Sequence, residues 1–196
     1  RDARDEVSPG ALVMGSVAPL EDCYQPGRSP DAITCRREHG RIIAHLLDAG
    51  IDLVLIETMT AAEEALAAVD AAAERAAGAW AVSFCLSQNG APCILMDGTP
   101  LETILPRLRG ARFIGLNCVS APELAAHVAH LRGLLDEDIP IAAYGNVGHA
   151  DAEGGWVSTD SVEPERFASC AMEWIESGAI MVDERFGSQT KGQEVD

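Results

Sequence analysis

Short apolar runs and longer segments with helical spacing alternate along the chain. Residues 51–57 (IDLVLIE) and 80–86 (WAVSFCL) are apolar almost throughout, which is typical of parallel strands buried on both faces. Between these runs, the alanine-rich stretch 61–77 predicts a helix, and in residues 121–135 apolar side chains recur as on one face of a helix. The alternation predicts an α/β fold built on a parallel sheet.

The same pattern predicts about six strands, with helices between them. The predicted strands lie at 11–20, 51–57, 80–86, 112–118, 140–146 and 179–183. The predicted helices are a segment ending before Gly50, then 61–77, 100–109, 121–135 and 164–177, with a polar loop at 149–161.

The turns from strand to helix carry a capping signal. Thr60, Thr99 and Ser120 each begin an S/T-x-x-E pattern, which predicts a capping box at the start of the following helix. This placement sets Glu57 and Cys118 near the carboxyl ends of their strands. In parallel α/β proteins, that edge of the sheet is where functional sites are built.

Composition narrows the class of protein. The 196 residues, 47% of them hydrophobic, are enough for one core, so we expect a single domain over 1–196. Fourteen Lys and Arg against 31 Asp and Glu give a net charge of −17, which disfavours binding to nucleic acid or to a membrane surface. The six cysteines are scattered without a CxxC pair, which predicts free thiols in a cytoplasmic protein.

Glu57, Cys118, Asn146 and His149 are the polar residues of chemical interest at strand ends. A carboxylate at the end of the apolar run before Glu57 either makes structural hydrogen bonds or binds the ammonium group of a substrate. Cys118 is either a small apolar core residue or a thiolate that binds a soft metal or acts as a nucleophile. Asn146 and His149 either form a polar turn or lie over the mouth of a site at the carboxyl edge of the sheet, with Glu57 and Cys118.

Ser83 and Cys85 face one side of a further strand by alternation, and core packing is the first interpretation for both.

No GxGxxG or P-loop follows a strand, which argues against nucleotide binding in the Rossmann manner. No Ser-His-Asp order, paired-carboxylate signature or HExxH motif is visible, so the residues alone assign no certain catalytic group.

Several stretches together resemble the homocysteine S-methyltransferase (homocysteine-binding domain) family. Residues 15–26 (GSVAPLEDCYQP) resemble its GSxxP-type segment, and residues 50–69 (GIDLVLIETMTAAEEALAAV) resemble its G-D-L-ET-EA segment. The shorter stretches WAVSF, DG, FIGLNC and YGNVGH follow in the family's order at 80–84, 97–98, 113–118 and 144–149. The resemblance spans roughly residues 11–182.

The resemblance implies a TIM-barrel-type (β/α)8 fold, here a partial barrel of about six parallel strands with flanking helices. It also implies an enzyme that transfers a methyl group from a donor such as S-methylmethionine to homocysteine, giving methionine. In the family, zinc held by three cysteine thiolates binds the homocysteine sulfur, and a coordinating thiol is deprotonated by its metal. Homocysteine and a methyl donor are therefore the expected small-molecule partners.

Site residues are carried over by position. Cys118 matches the family's first zinc cysteine, in the GxNC stretch. Glu57 matches the glutamate that holds the amino group of the amino acid, and Asn146 matches the asparagine of the YPNxG stretch. Thr58, next to Glu57, and Asn117, next to Cys118, complete the expected substrate-binding set with Glu57 and Asn146.

Two departures from the family pattern change the expectation for zinc and for the barrel. Arg185 and Phe186 stand where the family's GGCC stretch supplies the other two zinc ligands, and nothing before residue 11 resembles the first two barrel strands. One alternative is a rebuilt zinc site, with ligands drawn from Cys118, Cys85, His149, Asp183 and Glu184. The other is loss of the metal, because Arg185 would bring a positive charge near the old metal position.

The missing strands imply open sheet edges with unpaired backbone groups, which self-association or a rearranged sheet would cover. On this interpretation residues 1–10 are an N-terminal remnant, 11–182 are family-like β/α units and 183–196 are a divergent tail. The alternative to an active methyltransferase is a degenerate, metal-free amino-acid-binding module or an inactive fragment of the family.

Overall fold

A computed structural model describes residues 2–87, 92–150 and 156–182, and there strands and helices alternate as predicted. The helices are α1 (Asp2–Val7), α2 (Ala32–Asp48), α3 (Ala62–Arg75), α4 (Ala121–Leu134) and α5 (Pro164–Glu176). The strands are β1 (Met14–Val17), β2 (Leu53–Met59), β3 (Trp80–Phe84), β4 (Ile114–Ser120), β5 (Ile141–Asn146), β6 (Gly148–Ala150), β7 (Trp156–Ser158) and β8 (Met181–Val182).

Six strands form one parallel sheet in the order β1-β2-β3-β4-β5-β8. Every neighbouring pair in this sheet is parallel, which confirms the predicted partial barrel of six strands with flanking helices. Because each strand lies beside the one before it in this sheet, the carboxyl ends of all six strands share one edge. That edge holds the residues that the sequence singled out.

The main core lies between the sheet and its helices. Large side chains such as Ile56, Phe84 and Leu116 are fully buried there, and the alanine-rich side of α3 packs on the same cluster. Small alanine side chains let this helix approach the sheet closely, while β-branched and aromatic residues fill the strands.

The opposite face of the sheet is apolar only toward the amino ends of the strands. A second, smaller cluster lies there, made of Leu55, Ala81, Phe113, Ala142 and Tyr144. Side chains two positions further along a strand emerge on the same face. On β2 and β3 these are Glu57 and Ser83, so this face changes from apolar to polar toward the carboxyl edge.

Two predicted elements differ from the structure. The segment 100–109 is not an α-helix but two short 3₁₀ helices, Leu101–Thr103 and Leu105–Arg107. Pro106 lies in the second, and a proline inside a helix removes a backbone hydrogen bond and clashes with the preceding turn. The loop predicted at 149–161 contains strand residues, because β6 pairs with β7 in an antiparallel ladder.

The predicted capping boxes were wrong as hydrogen bonds. Helix α3 begins after Ala61 with no side-chain cap, and Ser120 precedes α4 without making a capping bond. The Ala62 N–H instead donates to Asp97 Oδ2 at 2.7 Å, so a loop from elsewhere in the chain satisfies a free donor of the helix. The Thr99 pattern opens only a 3₁₀ helix, and its side chain makes no cap.

All six cysteines are free thiols in the structure, as their spacing predicted. Within the described part of the chain, no helix has the length and apolar character needed to cross a membrane.

Candidate functional site

Asn117 joins the ends of β2 and β4, although β3 lies between them. Its Nδ2 donates to Thr58 Oγ1 at 2.8 Å, and the Thr58 N–H donates back to Asn117 Oδ1 at 3.2 Å. Thr58 and Asn117 are 59 positions apart in the sequence. The structure therefore brings together two residues that the resemblance assigned to one site.

Ser83 completes this connection from the middle strand. Its Oγ donates to Asn117 Oδ1 at 2.7 Å, and both side chains are buried. Gly115 makes the contact feasible, because a Cβ at that position would lie 2.8 Å from Ser83 Oγ. Core packing, the first interpretation of Ser83 from sequence, therefore misses its role as a partner of Asn117. We call Thr58, Ser83, Asn117 and Cys118 the edge network.

The backbone is strained at two positions of the edge network. Thr58 has φ 64° and Cys118 has φ 55°, and non-glycine residues rarely adopt this left-handed region, especially β-branched residues such as threonine. The register of each strand also shifts at these points, between Ile56 and Met59 and between Asn117 and Ser120. Such irregularities re-aim side chains at the end of a strand, and they cluster near functional sites.

Glu57 precedes the strained threonine and is buried. The Tyr144 hydroxyl on β5 donates to Glu57 Oε2 at 3.1 Å. Tyr144 was not assigned a role from sequence, but it lies in the YGNVGH stretch that carried the resemblance. This contact fixes the direction of the Glu57 carboxylate at the polar end of the inner face.

Cys118 and Cys85 lie close together behind this edge. The Cys85 thiol donates to the Cys118 backbone carbonyl at 3.5 Å, and Asn117 Nδ2 donates to Cys118 Sγ at 3.2 Å. Burial raises the pKa of Cys118 to about 11, although hydrogen bonds from Thr58 and Asn117 oppose the shift. Burial raises the pKa of Cys85 as well. Both thiols are therefore protonated at neutral pH.

Tyr24 approaches this edge from the loop after β1, and sequence analysis gave it no role. Its hydroxyl is hydrogen-bonded to the side chain of Asn146, a buried residue at the end of β5. Burial raises the pKa of Tyr24, and negative charge on Cys118, Cys85 and Cys23, at a pH where these thiols ionise, raises it further. The GSVAPLEDCYQP stretch, quoted for the resemblance, was the available signal for Tyr24.

The described residues do not form a zinc site. Among them, no group of three His, Cys, Asp or Glu side chains could hold a metal ion, and three protein ligands are the usual minimum. His149 is described only as a backbone position in β6. Four residues named in the zinc expectation lie outside the described part of the chain: Asp183, Glu184, Arg185 and Phe186. Neither arginine nor phenylalanine supplies a zinc ligand.

The chain is similar to a known protein family and to a curated relative. The family model described as "Homocysteine S-methyltransferase" matches residues 1–182. A curated relative, homocysteine S-methyltransferase of Escherichia coli (strain K12), is 33% identical over 150 residues, which are 74% of this chain and 46% of the relative. The chain therefore spans about half the length of that relative.

Solved structures agree on the fold. The metallated form of the homocysteine methyltransferase MmuM from Escherichia coli superposes with a TM-score of 0.70 at 24% identity, over 93% of this chain and 60% of that chain. The carboxyl transferase domain of Rhizobium etli pyruvate carboxylase gives a TM-score of 0.54 at 18% identity, over 91% of this chain and 27% of that one. At these identities the likeness concerns the fold alone.

Proposed function

The chain belongs to the homocysteine S-methyltransferase family, and on that premise we propose that it binds homocysteine at the carboxyl edge of its sheet as one homocysteine-binding-type domain. The proposed reaction transfers a methyl group from a donor such as S-methylmethionine to the homocysteine sulfur, giving methionine. One observation carries the proposal: Asn117 holds the ends of β2 and β4 together, so that Glu57 and Cys118 lie at one mouth.

Glu57 is the proposed ligand of the substrate ammonium group. A carboxylate buried among apolar residues is costly without a cation or donors, and a charge-assisted hydrogen bond to ammonium is among the stronger polar contacts. Tyr144 already orients this carboxylate. Asn146 supplies a neutral amide near the same mouth, and we assign it to the polar end of the bound amino acid.

The reaction forms one bond from the homocysteine sulfur to the methyl carbon and breaks the bond between that carbon and the donor sulfonium. The electron pair of the broken bond goes to the donor sulfur, which loses its positive charge and becomes a thioether. The homocysteine thiol loses its proton to solvent, so the products are two thioethers and one proton. Zinc, when bound in the family, supplies a thiolate form of homocysteine at neutral pH. The described residues do not form a zinc site, so no step of the proposed reaction is assigned to zinc. Among the described residues, Cys118 is the one that matches a zinc ligand of the family.

The test is a methionine-formation assay with homocysteine and S-methylmethionine, combined with calorimetry and metal analysis of the same preparation. The proposal predicts homocysteine binding that weakens in Glu57→Ala, together with methionine production. Absence of both binding and product would reject it.

A metal-free amino-acid-binding module is the second candidate. The observation that favours it is the presence of Arg185 and Phe186 at the positions of two family zinc ligands. This candidate predicts homocysteine or methionine binding that a chelator leaves unchanged and that tolerates Cys118→Ala but not Glu57→Ala. Binding abolished by the chelator or by Cys118→Ala would favour the zinc enzyme, whereas no binding at all would leave an inactive fragment.

A further inference from the structure

Glu64, on the buried side of α3, makes three polar contacts. The Leu20 N–H donates to Glu64 Oε1 at 2.8 Å, and the Ser29 hydroxyl donates to Oε2 at 2.5 Å. His39 Nε2, from α2, lies 3.1 Å from Oε1. We call Leu20, Ser29, His39 and Glu64 the helix cluster. None of these residues entered the candidate site as derived from sequence.

The two loop contacts of Glu64 hold both ends of one segment. Leu20 begins and Ser29 ends the stretch 20–29, which carries Cys23 and Tyr24 to the mouth of the site. Most other hydrogen bonds that the structure shows for this stretch join residues within it, such as Tyr24 N–H to Asp22 Oδ1 at 2.9 Å. Glu64 is thus a main connection between the segment and the helices behind the sheet.

The negative charge of Glu64 strengthens its hydrogen bonds to the segment 20–29. Burial raises the pKa of Glu64, but hydrogen bonds from His39, Ser29 and the Leu20 backbone outweigh burial and leave the pKa below its ordinary value. The carboxylate is therefore ionised at neutral pH and accepts at both oxygens. A buried charge persists only when it is paired and hydrogen-bonded, so the segment and His39 are its compensation.

We infer that Glu64 is a positioning residue for the proposed homocysteine site: it fixes the segment 20–29 so that Tyr24 covers the mouth beside Asn146 and Cys118. The functional half of this inference rests on the proposed function. The structural half does not, because the position of the segment can be measured without any substrate.

Hydrogen exchange with mass spectrometry measures the segment directly. We expect Glu64→Gln, which replaces one acceptor oxygen by an amide group, to speed exchange of peptides covering 18–31 by at least tenfold relative to the wild-type chain. Ser29→Ala should do the same, and Ser29→Thr, which retains the hydroxyl, should restore slow exchange. Glu63→Gln is the matched control, because Glu63 is the exposed neighbour on the same helix. Peptides of β4 should exchange equally in all of these chains.

The covering of the mouth has its own readout. Alkylation followed by peptide mass spectrometry resolves the rate at Cys118, and we expect Glu64→Gln to raise that rate about tenfold while Glu63→Gln does not. Homocysteine affinity should fall about tenfold in Glu64→Gln, but less than twofold when Tyr24→Ala is already present. A merely structural defect would instead weaken binding to the same extent in both backgrounds.

The outcomes separate this inference from the proposed function. Exchange and alkylation that are alike in Glu64→Gln, Ser29→Ala and Glu63→Gln would overturn the inference. Should Glu64→Gln fail to fold by circular dichroism, Ser29→Ala and its threonine rescue decide the question alone. If the wild-type chain binds no homocysteine, the proposed function fails, and exchange and alkylation still decide whether Glu64 positions the segment.

Discussion

The edge network and the helix cluster each centre on one buried polar side chain, Asn117 or Glu64, that joins distant parts of the chain. Asn117 bonds to residues 34 and 59 positions away, and Glu64 to residues 44 and 35 positions away. They differ in charge and in backbone. The edge network is centred on a neutral amide with strained residues around it, whereas the helix cluster is centred on a carboxylate carried by a regular helix.

This difference shows how each network is stabilised. A left-handed non-glycine residue costs on the order of 1–3 kcal/mol, so the edge network must compensate for two strained residues, Thr58 and Cys118. Asn117 does so through hydrogen bonds to Thr58, Ser83 and Cys118. The helix cluster has no such strain to offset, and its contacts instead compensate a buried charge. Strain is therefore found where we expect a ligand and is absent from the support behind it.

The largest effect is expected from Asn117→Ala. It would leave buried partners unsatisfied on two strands and remove the support of both strained residues, lowering the free energy of unfolding by about 3 kcal/mol. Asn117→Asp, which keeps the acceptor for Ser83 but loses the amide donors, is the control, and its free energy of unfolding should lie between those of the wild-type chain and Asn117→Ala. Urea unfolding measures both, and a loss below about 1 kcal/mol in the alanine variant would contradict the role assigned to Asn117.

Glu57→Gln should act on binding rather than on folding. Removing the charge leaves the substrate ammonium without its counter-ion, and we expect homocysteine affinity to fall by about 2 kcal/mol, or roughly thirtyfold. Calorimetry measures the change, and Glu123→Gln, at an exposed carboxylate on α4, is the matched control. Equal affinities in the two variants would remove Glu57 from the site.

The strain at Thr58 is tested by comparing two substitutions. Both Thr58→Ala and Thr58→Gly lose the hydroxyl contact to Asn117, but only glycine adopts the left-handed conformation without steric cost. The glycine variant should therefore be more stable than the alanine variant by about 1 kcal/mol, the reverse of the order expected in a regular strand. Thermal or urea unfolding distinguishes the two, and the ordinary order would show that Thr58 is not strained in solution.

The smallest effect is a pH dependence of the helix cluster. Because the folded pKa of Glu64 is lowered, its contribution to stability is fully present above the unfolded value of about 4.3 and is lost as the pH falls through the folded pKa. The stability difference between the wild-type chain and Glu64→Gln should therefore shrink below about pH 4. Urea unfolding at a series of pH values measures this difference, and one that grows with acidity would contradict the ionised carboxylate.

Local pattern was a good guide to elements and a poor guide to caps. The apolar runs placed β2 and β4 to within two residues at each end, because a strand buried on both faces must be apolar along its length. The S/T-x-x-E pattern failed at Thr60, because the Ala62 N–H in the first turn of α3 donates instead to the carboxylate of Asp97, 35 positions further along the chain. A short motif shows which side chain could cap the first turn of a helix, but tertiary contacts decide which acceptor its N–H groups bind.

The sequence by itself determined the alternation of strands and helices, the parallel sheet and the family. It also determined the position of Glu57 and Cys118 at the carboxyl edge of that sheet, because all of these follow from residue type and spacing along the chain. Only the tertiary structure decided that Ser83 contacts Asn117, that Thr58 and Cys118 are strained, and that Glu64 holds the segment bearing Tyr24. Those contacts join residues 34 to 60 positions apart, and no local pattern records which distant side chains meet when the strands lie side by side.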